Sequence, residues 1–178
     1  MLGNEALVVG DVVLPGISPW PTRLEHYDEV AQILKPFYPD PGAIFGLKRY
    51  LYSLKRLLQI ADNDPDMLVL PAHRLYYRDR WNTLQLKERI RELMEHHIQR
   101  CAAILKIVAA GTKNTHDIAR LHFNESLLKG PGKLMAANEI ISHCELMVAS
   151  GDLQEVKKHH YVSTGGENFE KSIRSINV

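Results

Sequence analysis

The chain has 178 residues, 45% of them hydrophobic, enough for one medium core or two small ones. Its 22 basic and 21 acidic side chains nearly cancel, so no global field draws it onto nucleic acid or an anionic membrane, and any such partner must be recognised locally. No apolar stretch reaches the roughly 20 residues that span a bilayer, Met1 to Leu14 lacks the flanks of a signal peptide, and Cys101 and Cys144 have no CxxC spacing, which together point to a reducing cytoplasm.

In chain order, Ala6-Leu7-Val8-Val9 is short, β-branched and apolar, and Gly10-Asp11 follows at once. This reads as a buried strand delivering a carboxylate at its C-terminal end, where ligands often bind in α/β sheets. Prolines at 19, 21, 36, 39 and 41 make the next stretch mostly loop, with one short helix around Glu25–Leu34. From Ile44 to Ala61, Leu47, Leu51, Leu54, Leu57 and Leu58 follow helical spacing, and Asn63-Asp64-Pro65 ends that helix. Met67-Leu68-Val69-Leu70 is a second short strand, closed by Pro71 and followed by His73. Two strands thus each end in a potential metal ligand.

After Trp81 the pattern becomes helical, and the expected domain boundary falls near residues 79–84. Leu84 to Ala110 is a long amphipathic helix stopped by Gly111. Asn114 or Thr115 caps a short helix to about Phe123, with Asp117 in its first turn. Lys129-Gly130-Pro131-Gly132 is a break, and Leu134 to Ala149 forms a third helix ended by Ser150-Gly151. A hairpin is expected around Glu155–His160, and Thr164 to Val178 is a tail that frays or adds a short helix.

The series Val9-Gly10-Asp11-Val12-Val13-Leu14, Ile17-Ser18-Pro19, a helix, Val69-Leu70-Pro71-Ala72-His73, then a long helix with His96-His97 and Arg100 resembles the metallo-β-lactamase superfamily. The match is to the branch whose hydrolase domain ends in a winged helix. The resemblance implies an α/β fold, part of the αββα metallo-β-lactamase sandwich over residues 1–82, followed by a mainly α winged-helix domain over 83–164 and a tail over 165–178. It implies that Asp11 is a carboxylate bridging two metal ions and that His73 is a terminal histidine ligand. Zinc or another divalent metal is then the cofactor of the complete enzyme, a hydrolase whose relatives act on thioesters, lactams or RNA.

A carboxylate suits two hard or borderline cations and a neutral imidazole suits zinc, and a pair of metals activates a bridging water. The family's other ligands come from an HxHxDH motif and a further histidine, all ahead of the Gly-Asp element. This sequence has no HxH, and ten residues precede Asp11. The site is therefore expected to be incomplete, with no catalytic residue identifiable in this chain and hydrolysis dependent on a missing N-terminal half. The family turn also carries glycines on both sides of its histidine, whereas Ala72 and Arg74 flank His73 here. Ser18 and Arg74 lie close in sequence to the two ligands.

Other residues have plainer explanations. A strand-end Asp caps turns in many proteins. His96 and His97 point about 100° apart on a helix, so one faces the core and the other solvent. Lys157-Lys158-His159-His160 reads as a solvated wing tip, with a phosphate contact as the alternative. Residues 134–149 occupy the position of a DNA-reading helix, yet they include Glu139 and Glu145 and lack the Arg and Lys that phosphates require. Besides the hydrolase fragment, two further readings remain. One is a non-catalytic interaction module, whose half sheet must be covered by another copy or by the missing half. The other is a winged-helix nucleic-acid binder.

Overall fold

A four-residue apolar run is too short for a helix and gains most by pairing as a strand. The two such runs that are closed at once by Gly10 and Pro71 pair with one another. The computed structural model describes residues 6–178; residues 1–5, the start of the Met1 to Leu14 run, lie outside the described residues. The elements in order are β1 (Ala6–Gly10), α1 (His26–Leu34), α2 (Leu47–Asn63), β2 (Leu68–Pro71), β3 (Tyr76–Tyr77), β4 (Arg80–Trp81), α3 (Leu86–Val108), β5 (Lys113–Asn114), α4 (Thr115–His122), α5 (Gly132–Ala149), β6 (Leu153–Lys157), β7 (His160–Ser163) and α6 (Phe169–Arg174). About half of the chain is helical, and the sheets are small. No helix among the described residues is long and apolar enough to cross a membrane.

The chain packs as two compact units. One takes the described residues up to Pro19, then Tyr50–His96 and Ile176–Val178; the other takes Trp20–Arg49 and His97–Ser175. This grouping differs from a division at residue 82, because residues 20–49 pack with the C-terminal helices and hairpin. The backbone N–H of Leu24 donates to both carboxylate oxygens of Glu145, at 3.1 and 3.0 Å. Glu25 pairs with Lys158 at 3.2 Å and with His159 at 3.4 Å.

In the first unit β1 and β2 lie parallel, with Ala6 opposite Leu68, Leu7 opposite Val69 and Val8 opposite Leu70; the register slips after Val8, so that Gly10 faces Pro71. Alternation along the strands buries Leu7, Val9 and Val69 and leaves Val8 and Leu68 56% and 58% exposed. Ala6, Val13 and Leu14, Leu51, Leu54 and Ala61 of α2, and Leu86, Ile90 and Leu93 of α3 supply the other buried apolar side chains of this unit. Polar contacts hold the segment after β1: Tyr50 donates its hydroxyl to the Val12 carbonyl (2.9 Å), and Arg89 donates to the carbonyls of Leu14 (2.9 Å) and Ile17 (2.8 Å). The hairpin β3–β4 was not expected. Its two turn residues, Arg78 and Asp79, both have left-handed backbones (φ 53° and 58°), the conformation that a two-residue hairpin loop demands and that Asn-Gly usually signals.

In the second unit the C-terminal part of α3, then α4 and α5, precede a three-stranded antiparallel sheet in the order β5-β7-β6. Asn114 caps α4 as expected, accepting the Asp117 N–H at 2.9 Å. The core includes Ile104, Ile118, Ile140, Met147, Tyr161 and, from the tail helix α6, Phe169 and Ile173. Burial pushes the Cys101 thiol up to about 12 and the Cys144 thiol well above its ordinary value, so neither is a thiolate nucleophile. His97 is fully buried and His96 half-buried. His97 Nδ1 lies 3.0 Å from His143 Nε2, and His143 Nδ1 lies 2.6 Å from the Glu139 carbonyl. A carbonyl only accepts, so His143 donates from Nδ1, and a neutral His143 receives the His97 proton at Nε2.

Candidate metal site

The parallel pairing of β1 and β2 puts both strands' C-terminal ends at the same edge of the first unit. Gly10, at a left-handed φ of 56°, turns the chain out of β1 and presents Asp11, and its carbonyl accepts the Ala72 N–H at 2.9 Å. That hydrogen bond extends the strand pairing by one residue and fixes where the next side chain emerges. The result is that His73 Nε2 stands 3.3 Å from Asp11 Oδ1. The two candidate ligands, 62 positions apart in sequence, are brought together.

Two donors on one tetrahedral zinc, each at about 2.0–2.1 Å, are separated by about 3.3 Å. The Asp11–His73 spacing fits two adjacent positions of such an ion. Both side chains are mostly exposed, which leaves room for further ligands. Among the described residues, however, no group of three or more His, Cys, Asp or Glu side chains gathers around a common point. His26 is engaged with the Arg23 guanidinium, and His97 and His143 with each other. The residues present thus fit part of a metal site.

Arg74, directly after His73, has a left-handed backbone (φ 63°). A non-glycine residue pays roughly 1–2 kcal/mol for that conformation, and it is the position at which the resembled turn carries glycine. Asn82 holds the segment in place, its side-chain amide donating to the Arg74 carbonyl (2.7 Å) and its backbone N–H to that of Leu75 (2.7 Å). The Arg74 guanidinium stacks over the Tyr77 ring, 4.7 Å from its centroid. Ser18 is half-buried.

Among solved structures the chain is similar to a β-lactamase domain protein from Burkholderia ambifaria, with a TM-score of 0.65 and 24% identity over 90% of this chain and 42% of that one. It is also similar to a metallo-β-lactamase family protein from Thermus thermophilus, with a TM-score of 0.61 and 22% identity over the same shares of the two chains. No family model and no curated protein matches the sequence. The fold is therefore that of part of a metallo-β-lactamase family protein. The chain spans less than half the length of the two structures it matches.

Proposed function

We propose that this chain is the C-terminal portion of a metal-dependent hydrolase of the metallo-β-lactamase type. In the completed enzyme Asp11 would serve as the bridging carboxylate and His73 as a terminal ligand, and zinc or another divalent metal held there would supply the Lewis acidity that makes water nucleophilic. The observation that carries this reading is the 3.3 Å approach of Asp11 and His73 at the ends of two parallel strands. The remaining ligands come from an N-terminal half of the fold, on the same polypeptide or a separate one. By itself the chain does not hydrolyse. Residues 83–164 form the winged helix, a reading supported by the order of three helices and a hairpin and by the sheet order β5-β7-β6.

The test is elemental analysis after dialysis, on the chain alone and after assembly with an HxHxDH-bearing N-terminal half, each beside the Asp11→Ala, His73→Ala double variant. The expected result is little metal in the chain alone and metal retained by the assembly, lost in the variant. Stoichiometric metal that survives removal of both side chains would overturn the assignment.

A second reading, a non-catalytic interaction module, is favoured by the exposure of Val8 and Leu68 on the two-stranded sheet. In that case a second copy or another subunit covers the sheet.

A further inference from the structure

The second unit contains a cleft of about 970 Å³, within the size range of small-molecule sites. Its walls come from Asn114 and α4, the connection to α5, the N-terminal half of α5, and Arg23 with the β6–β7 turn at Lys158 and His159. Arg120 in the last turn of α4, Lys129 in the connection and Lys133 in the first turn of α5 all line it, and none makes an ion pair among the described residues. Of the two acidic side chains on the walls, Asp117 already accepts the Asn114 amide at 2.7 Å, which leaves Glu125 against three unpaired cations. The connection is held tightly: a Cβ on Gly132 would meet the Leu127 carbonyl oxygen at 2.1 Å, so only glycine lets the chain fold back against the start of α5 between the two lysines.

The floor has a different character. One face of α5 contributes Leu134, Ala137, Asn138 and Ile141, spaced as neighbours on a helix. Asn138 is 5% exposed, and its Oδ1 has no hydrogen-bond partner among the described residues. A buried orphan acceptor costs roughly 1–3 kcal/mol, which a ligand donor would recover. Asn138 lines the cleft, and its terminal amide torsion is soft. An Asn amide offers one acceptor and donors side by side, the complement of the adenine N6 and N7 edge.

Three unpaired cations on the walls and an apolar floor with an amide oxygen that lacks a partner suit a ligand with a polyphosphate and a planar base. We propose that this cleft binds an adenine nucleotide carrying two or three phosphates, the phosphates against Arg120, Lys129 and Lys133 and the base against Asn138. Arg120, Lys129 and Lys133 line one cleft, and the other two Arg and Lys side chains on its walls, Arg23 and Lys158, are paired with Glu25. Glu139 pairs with Arg100 at 3.1 Å and Glu145 lies further along α5, so a polynucleotide backbone finds no continuous basic path. The proposal is independent of Asp11 and His73.

The test is calorimetric titration of the full chain, in metal-free buffer, with ATP, inorganic triphosphate, adenosine and a 12-nucleotide oligouridine, about 12 being long enough to span a polynucleotide surface. ATP is expected to bind at least about tenfold more tightly than triphosphate or adenosine. The exposed pair Lys129→Ala, Lys133→Ala, which removes no buried contact, is expected to weaken ATP about tenfold or more. Asn138→Ala, checked for folding by circular dichroism, is expected to bring ATP down to the affinity of triphosphate. Equal affinity for ATP and triphosphate in the unaltered chain would overturn the base site. Binding of oligouridine without ATP, or ATP binding indifferent to the two lysines, would overturn the proposal as a whole.

Discussion

Glu145 is a half-buried carboxylate on α5 whose two oxygens accept the backbone N–H of Leu24. Burial pushes its pKa up from 4.5 to about 7, against the lowering effect of the Leu24 hydrogen bond. In the unfolded chain it ionises near 4.5, so between there and about pH 7 the unfolded state has released a proton that the folded state retains. Stability is then full below pH 4.5, falls as pH rises to about 7, and levels off above. Glu145→Gln keeps an acceptor for Leu24 and removes the ionisation. Urea unfolding at pH 5 and pH 8 is expected to show a smaller pH dependence in the variant, which gains on the order of 1–2 kcal/mol at pH 8 once solvent screening is allowed for; an unchanged slope would mean that Glu145 ionises freely in the fold. Legibility at this scale follows sequence distance. Asp11 and His73 are readable because each comes within two residues of a strand whose end is marked by Gly10 or Pro71. Glu145 is not, because Leu24 is 121 positions away. Arg120 and Lys129 escape a count of charge along α5 because they belong to α4 and to the connection rather than to α5.

Helices whose burial repeats along one face are visible in the sequence, and α2, α3, α4 and α5 lie within a few residues of their expected spans. Their ends are set by caps, which are also local signals. Asn114 is the clearest case: its side-chain oxygen accepts the Asp117 N–H, and its amide returns to the Asp117 carboxylate, so two groups of the first turn of α4 are satisfied by one residue. Asn114→Ala is expected to cost about 1 kcal/mol and to lower the thermal midpoint by about 2–4 °C in a chain of this size. A scan of the two proteins side by side checks it, and an unchanged midpoint would show that α4 is held by packing of Ile118 and Ala119 alone. The elements missed are those whose evidence is non-local or atypical. β5 is two residues long and exists only through pairing with Tyr161 and His160. The β3–β4 hairpin turns on Arg78-Asp79, a dipeptide with neither the Asn nor the Gly that such a loop favours.

For the molecule as a whole, the sheet decides what the chain does alone. Parallel sheets are ordinarily covered on both faces, yet the only strands pairing in parallel among the described residues are β1 and β2, and they leave Val8 and Leu68 exposed. Val8 pairs with Leu70 and Leu68 with Ala6, so the two exposed side chains belong to one register of the same two-stranded ladder. The chain matches less than half the length of the structures it resembles, which supports the reading that more of the fold normally lies against this sheet. The exposure does not follow from composition, because Val8 and Leu68 are as apolar as their buried neighbours and only the folded chain shows which of them water reaches. The chain alone is expected to self-associate as its concentration rises, since apolar area removed from water contributes roughly 25 cal/mol per Å². Val8→Thr with Leu68→Thr keeps strand propensity at both positions while adding a hydroxyl on the exposed face. Sedimentation velocity should show the mass of the unaltered chain rising with concentration and that of the double variant staying monomeric. A monomer in both cases would mean that the ladder tolerates water as it stands, and would remove the support for an interaction module while leaving the Asp11–His73 assignment untouched.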